Sequence, residues 1–211
     1  MIFKTKTKLF IDFDGTLFDT TCFREKIFKV FLELGFDQQT VEKGYKDECQ
    51  DYLYSPQEQA KRLKKIKEYD IDSALDGLRS IELNASECIY PNSAKFLENI
   101  DRKKYEVILL TLGDIKFQKA KYSNSGLNKY FDNAIFTTIQ KWDYLIDFVR
   151  NDEKFILIDD RGNTCKNISE KFPNATAIEI NRKTIAPDLL EPKDEFGGIK
   201  IINLMQAEKY L

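Results

Sequence analysis

Lys8–Thr20 reads KLFIDFDGTLFDT, and this stretch decides how the rest of the chain is read. A short apolar run, Leu9–Phe10–Ile11, ends in Asp12, and Phe13, Asp14, Gly15 and Thr16 follow. The run is too short for a helix and has the bulk of a buried strand. Gly15 breaks the strand and permits a tight turn. Two carboxylates two residues apart on an extended segment project the same way. At a strand's last residues they reach the carboxyl edge of a sheet, where open α/β folds bind ligands. The plainer alternative is a strand-to-turn junction with solvated Asp side chains. The remaining strand ends decide between the two.

Beyond Phe18 the pattern becomes helical. Phe23, Ile27, Val30, Phe31 and Leu34 recur at helical spacing, and Gly35 closes the run. Val41, Tyr45, Cys49 and Tyr52 suggest a second amphipathic helix. Ser55-Pro56-Gln57-Glu58 is a helix start, with Ser55 as cap, Pro56 at the first position and Glu58 reaching back to the cap. From Tyr90-Pro91 onward, strands alternate with helices. Tyr105–Thr111, Ala134–Thr137, Phe155–Asp159 and Ala175–Ile180 read as strands, with a shorter one at Ile199–Ile202. Such alternation implies a parallel sheet covered on both faces. The expected fold is therefore a doubly wound, Rossmann-like α/β core formed by 1–18 and 90–211. An all-helical segment, 19–89, interrupts it. Thr184–Gly198, with Pro187, Pro192 and Gly197-Gly198, reads as an irregular surface loop.

Composition removes several chemistries. The chain has no histidine, so a Ser-His or Cys-His relay and histidine metal ligands are excluded. Carboxylates, lysines, hydroxyls and a hard metal remain. A net charge of −2 gives no general argument for nucleic acid or an anionic membrane. No apolar run approaches the roughly 18 residues of a membrane span. Asp12 and Asp14 interrupt the first apolar run and argue against a signal peptide. The expected location is the cytoplasm. Cys22, Cys49, Cys88 and Cys165 are scattered without a CxxC pair. They are expected to be reduced, small apolar residues.

Three later strand ends carry polar residues. Val107-Ile108-Leu109-Leu110 ends in Thr111, followed by Leu112-Gly113. A hydroxyl and the backbone N–H groups of such a turn can hold phosphate oxygens. Lys141 follows the strand that ends near Thr138, at the start of a helix. Its ammonium can offset charge on a nucleophile and a phosphoryl group. Lys119 and Lys121 compete for this role, but they fall mid-helix before that strand. Phe155-Ile156-Leu157-Ile158 ends in Asp159-Asp160. Adjacent carboxylates after a buried strand repel, and a divalent cation resolves the repulsion. Asn163 or Asn167 is placed to support that site.

Together these segments resemble the four motifs of the haloacid dehalogenase-like superfamily. Asp12-x-Asp14-x-Thr16 matches the first, Thr111 the second, Lys141 the third and Asp159-Asp160 the fourth. Trp142 stands where many members have Pro after the lysine. The resemblance implies a phosphatase working through an aspartyl-phosphate, with Asp12 as nucleophile and Asp14 as proton shuttle. It implies Mg²⁺ held by Asp12, the Asp14 backbone carbonyl and Asp160, with Asp159 as a second, outer acid. Thr111, Leu112, Gly113 and Lys141 would bind the phosphate. Residues 19–89 would be a cap, with Asp19, Arg24, Lys43 and Tyr45 as candidate substrate contacts against their plainer reading as surface or packing residues. Dehalogenases of this superfamily lack the second Asp. The expected partner is a small phosphorylated metabolite, such as a sugar phosphate, phosphoglycolate or nucleotide. No nucleic-acid polymer or membrane is expected, and the chain is read as a monomer or homodimer. The rival readings are a phosphomutase, or a silent binding protein on the same fold.

Overall fold

The computed structural model describes residues 5–49, 53–150, 152–182 and 196–211. Six strands form one parallel sheet in the order β3-β2-β1-β4-β5-β6. They are β1 (Thr7–Ile11), β2 (Tyr105–Leu112), β3 (Asn133–Thr137), β4 (Phe155–Asp159), β5 (Thr176–Ile180) and β6 (Ile199–Ile201). β1 sits centrally, with Ile11 in register with Leu109 on one side and Ile158 on the other. The chain builds β2 and β3 to one side of β1, and β4 to β6 to the other. This reversal beside β1 opens a crevice at the carboxyl ends of the strands.

The central strands are apolar throughout because both sheet faces are covered. Leu9, Ile11, Val107, Leu109, Ile156 and Ile158 pack into one core. Their neighbours Phe10, Ile108, Leu110 and Leu157 pack into the other. The alternation follows the two-residue period of a strand. Helices α5 (Ser93–Asn99), α6 (Ile115–Asn124), α7 (Lys141–Phe148) and α8 (Gly162–Lys171) connect the later strands. After β6 the chain forms 3-10 turns over Leu204–Tyr210.

Between β1 and α5 lie α1 (Thr20–Glu33), α2 (Gln38–Glu48), α3 (Pro56–Lys64), α4 (Ile71–Leu83) and a 3-10 turn, Ala85–Cys88. Their starts are capped locally. Asp19, Asp37, Ser55 and Asp70 each accept a backbone N–H of the first turn. Pro56 occupies the first turn of α3 as expected, but Glu58 turns outward to Lys61 instead of back to the cap. Tyr52 and most of the expected loop at 184–198 lie outside the described residues. No described helix is long and apolar enough to cross a membrane.

The two ends of this helical segment meet. Phe18 bridges Ile89, Tyr90 N–H donates to Leu17 O, and Asp19 N–H donates to Cys88 O. The same convergence brings Cys22 and Cys88 together as a disulfide, with Cα atoms 5.8 Å apart. Two of the four cysteines are thus not the reduced apolar residues expected. They are separated by 66 positions, and only the return of the chain to its point of departure joins them. Cys49 and Cys165 are free and buried.

Candidate functional site

The loop after β1 is folded tightly onto itself. Asp12 N–H donates to Ile158 O, Gly15 N–H to Phe18 O, and Leu17 and Phe18 N–H to Phe13 O. Gly15 has φ +73°, a left-handed conformation that disfavours a side chain. A second constraint acts there. A Cβ on Gly15 would lie 1.9 Å from Asp160 Oδ2. Glycine therefore lets the carboxylate that follows β4 lie directly against the loop that follows β1.

Lys141 opens α7 and reaches back across the strand ends. Its Nζ donates to Asp12 Oδ1 and, at 2.6 Å, to Asp159 Oδ2. All three side chains are buried. Burial opposes charge on the ammonium, but the two carboxylates outweigh it and push the Lys141 pKa up. For Asp12, burial is the largest influence and raises the pKa from 3.8 to about 7. Lys141 opposes that rise, and the Asp159 charge adds to it. Thr16 Oγ1 donates to the other oxygen, Oδ2, at 3.1 Å.

Asp12, Asp159 and Asp160 each offer an oxygen, and the three atoms lie within 4.8 Å of one another. An all-oxygen, carboxylate-rich donor set suits a hard divalent cation such as Mg²⁺. The two oxygens of Asp159 are already engaged, one by Lys141 and the other by Arg161 N–H at 2.9 Å. Both oxygens of Asp12 are engaged as well, by Lys141 and Thr16, so these bonds do not rank the three acids as ligands. Asn163 and Asn167 bond to each other and do not support the cluster.

Thr111, at the end of β2, is buried, and its Oγ1 has no hydrogen-bond partner among the described residues. A buried hydroxyl without a partner is costly unless a ligand uses it. Gly113 behaves differently from expectation. Its N–H donates to Thr137 O at 3.0 Å and is not available to a phosphate. Leu112 O accepts from Gln118 Nε2.

Asp14 is held by side chains of α6. Lys121 Nζ lies 2.6 Å from Oδ1 and 2.7 Å from Oδ2. Gln118 Nε2 donates to Oδ2 at 2.7 Å, and Thr20 Oγ1 to Oδ1 at 3.3 Å. Gln118 and Lys121 are three residues apart and share one helix face. Sequence reasoning weighed Lys121 only as a rival to Lys141; the fold brings both to the site, on different carboxylates. Lys119 instead lies over the Phe136 ring. Arg182 went unnoticed in the sequence. Its Nε and Nη2 donate to Thr16 O at 3.1 and 2.7 Å, and its guanidinium stacks 3.8 Å from the centre of the Tyr90 ring. Nothing in the local pattern around Arg182 marks it, because its partner is 166 positions away. Of the other candidate contacts, Asp19 caps α1, Lys43 is exposed, and Arg24 and Tyr45 are buried.

The family of haloacid dehalogenase-like hydrolases matches this chain over residues 9–146. The chain belongs to that family of enzymes. No curated protein matches it. Solved structures with the same fold include a protein from Burkholderia xenovorans LB400 assigned as a haloacid dehalogenase-like hydrolase. It is 16% identical, with a TM-score of 0.72 over 98% of this chain and all of that one. The magnesium-bound HAD-hydrolase YfnB from Bacillus subtilis is 14% identical, with a TM-score of 0.64 over 99% of each chain. L-2-haloacid dehalogenase from Xanthobacter autotrophicus is 15% identical, with a TM-score of 0.62 over 97% of this chain and 98% of that one.

Proposed function

We propose that this hydrolase cleaves phosphate monoesters of small metabolites through an aspartyl-phosphate on Asp12. The observation that carries this reading is the second acid. Asp14 is held by Lys121, Gln118 and Thr20 beside the loop that bears Asp12. An ester oxygen needs a proton as it leaves, whereas a halide departs without one. A fixed carboxyl group next to the nucleophile therefore favours an oxygen leaving group.

In the first step an Asp12 oxygen attacks phosphorus in line, and the phosphorus–ester oxygen bond breaks. Asp14 gives its proton to the departing oxygen. In the second step water attacks the same phosphorus and passes a proton to Asp14. The acyl phosphate bond then breaks, which frees inorganic phosphate and restores Asp12. Splitting hydrolysis this way replaces one difficult displacement by two easier ones. Asp12 and Asp160 would hold Mg²⁺, with Asp159 behind them, and that ion supplies charge neutralisation between carboxylate and phosphate. Lys141 keeps Asp12 oriented, and the Thr111 hydroxyl donates to a transferring oxygen. Positioning and electrostatics carry most of the rate in such reactions. Residues 19–89 act as a cap that shields the reacting groups from water.

The test is phosphate release from a panel of about a hundred phosphorylated metabolites, with Mg²⁺ or with a chelator. Metal-dependent release by the wild type, lost in Asp12→Asn, is expected. No release from any ester, or full activity in Asp12→Asn, would overturn the reading.

A further inference from the structure

Arg182 joins three parts of the chain that meet at the carboxyl edge of the sheet. It stands just beyond β5. Its Nε and Nη2 both donate to the backbone carbonyl of Thr16, at 3.1 and 2.7 Å. The face of the same guanidinium lies 3.8 Å from the centre of the Tyr90 ring. Thr16 belongs to the loop that bears Asp12. Tyr90 belongs to the stretch where the helical segment returns to the core, directly after the Phe18–Ile89 bridge.

Each attachment leads further. Thr16 is fully buried, and its hydroxyl donates to Asp12 Oδ2 at 3.1 Å. That is the oxygen Lys141 does not hold. Lys141 and Thr16 thus fix one Asp12 oxygen each, and releasing either frees the carboxylate to rotate. Tyr90 N–H donates to Leu17 O at 3.0 Å, so the residue after Thr16 is tied to the same return stretch. Burial works against charge on the guanidinium, and the neighbouring Tyr90, Asp19 and Asp160 work for it. A guanidinium suits this junction better than an ammonium. Its planar fork reaches one acceptor with two N–H groups while its face covers an aromatic ring.

We propose that Arg182 is a positioning residue for the nucleophile: it fixes Thr16, and through Thr16 the orientation of Asp12, and it locks that loop to the returning helical segment through Tyr90. The inference rests on the phosphatase reading above for its reaction, but not for the lock. Arg182 touches no reacting atom in this scheme. It acts because in-line attack is sensitive to placement, and a displacement of about 1 Å can cost on the order of a hundredfold in rate.

Two measurements test it. First, kcat and KM are compared in wild type, Arg182→Met and Arg182→Lys, with p-nitrophenyl phosphate and with the best ester of the metabolite panel. In Arg182→Met kcat is expected to fall about tenfold or more for both esters, because the nucleophile serves every leaving group, while KM changes little. Arg182→Lys keeps a donor for Thr16 O and should recover part of the loss. An unaltered kcat in Arg182→Met, or a lysine variant no better than the methionine one, overturns the proposal. Second, amide hydrogen exchange is followed in the metal-free proteins. The N–H groups of Leu17 and Phe18 are bonded to Phe13 O, and that of Tyr90 to Leu17 O. In Arg182→Met these three should exchange at least tenfold faster, with Ile156 and Leu157 of β4 unchanged, which separates local release from general loosening. Unchanged exchange at the three amides, or an equal acceleration in β4, overturns the proposal. If Arg182→Met does not fold, Arg182→Lys carries both measurements. Values between wild type and a tenfold change are then expected, and wild-type values overturn the proposal. If no ester is hydrolysed yet exchange at the three amides depends on Arg182, the phosphatase reading fails and the lock stands.

Discussion

Lys121 Nζ spans the Asp14 carboxylate, 2.6 Å from one oxygen and 2.7 Å from the other. The lysine is 3% exposed and the aspartate 25%. A flexible acid on a loop is thereby fixed against a helix of the core. Lys121→Met should release it. General acid–base groups typically contribute about 10²–10⁴-fold to rate, so kcat is expected to fall about a hundredfold while KM changes little. The lost charge-assisted bonds should cost about 2 kcal/mol of stability. Lys121→Arg should recover part of the rate. Steady-state kinetics and denaturant unfolding on the same preparations check both; an unaltered kcat would contradict the positioning role.

If Asp12 is a cation ligand as proposed, its raised pKa predicts a pH-dependent Mg²⁺ affinity. Its folded pKa is about 7 against an ordinary 3.8, chiefly because it is buried. Below pH 7 the metal-free carboxyl is protonated, and a divalent cation must displace that proton. Mg²⁺ affinity should therefore rise up to tenfold per pH unit toward 7 and flatten above it. The same raised pKa acts on the metal-free fold. Its contribution to stability is full below about pH 4 and is lost as pH rises through about 7. Calorimetric Mg²⁺ titrations at several pH values check the first statement. Affinity independent of pH between 5 and 7 would rule it out.

Gly15→Ala tests the seat of Asp160. The new methyl would meet Asp160 Oδ2 and would sit on a residue with φ +73°. The left-handed conformation alone costs roughly 1–2 kcal/mol for a residue with a Cβ. Asp160 must also swing away. Mg²⁺ affinity is expected to drop at least tenfold and the melting temperature by about 4 °C or more. Retained affinity would mean that Asp160 is not held by this approach.

The Cys22–Cys88 bridge closes a long loop, with 66 positions between its ends. On the chain-entropy account such a crosslink contributes about 4 kcal/mol. Thiol titration of unfolded, unreduced protein should count two thiols, Cys49 and Cys165, and four after reduction. Reduction should lower the melting temperature. Four thiols in the freshly purified protein would show the bridge open. That outcome would agree with the cytoplasmic expectation, because disulfides are rare in reducing compartments.

The sequence by itself determined the parts of the site that are local. An apolar run that ends in an acid or a hydroxyl is a strand end, whatever surrounds it. Thus Asp12, Thr111 and Asp159-Asp160 were readable from strand period and breakers, and Lys141 from its place at a helix start. The alternation of those runs with helical ones determined the parallel α/β core. Only the tertiary structure decided what faces what. Lys121 and Gln118 engage Asp14 across more than a hundred positions, Arg182 holds Thr16 O across 166, and Cys22 meets Cys88. The backbone hydrogen bond that removes Gly113 N–H from the site comes from Thr137 on the next strand. Such pairings carry no local signal. They arise when sheet order and the return of the helical segment bring distant groups to the same edge. At Asp12-Phe13-Asp14 the sequence supplied two acids; the fold decided that one faces Lys141 and the acidic cluster, and the other faces Lys121.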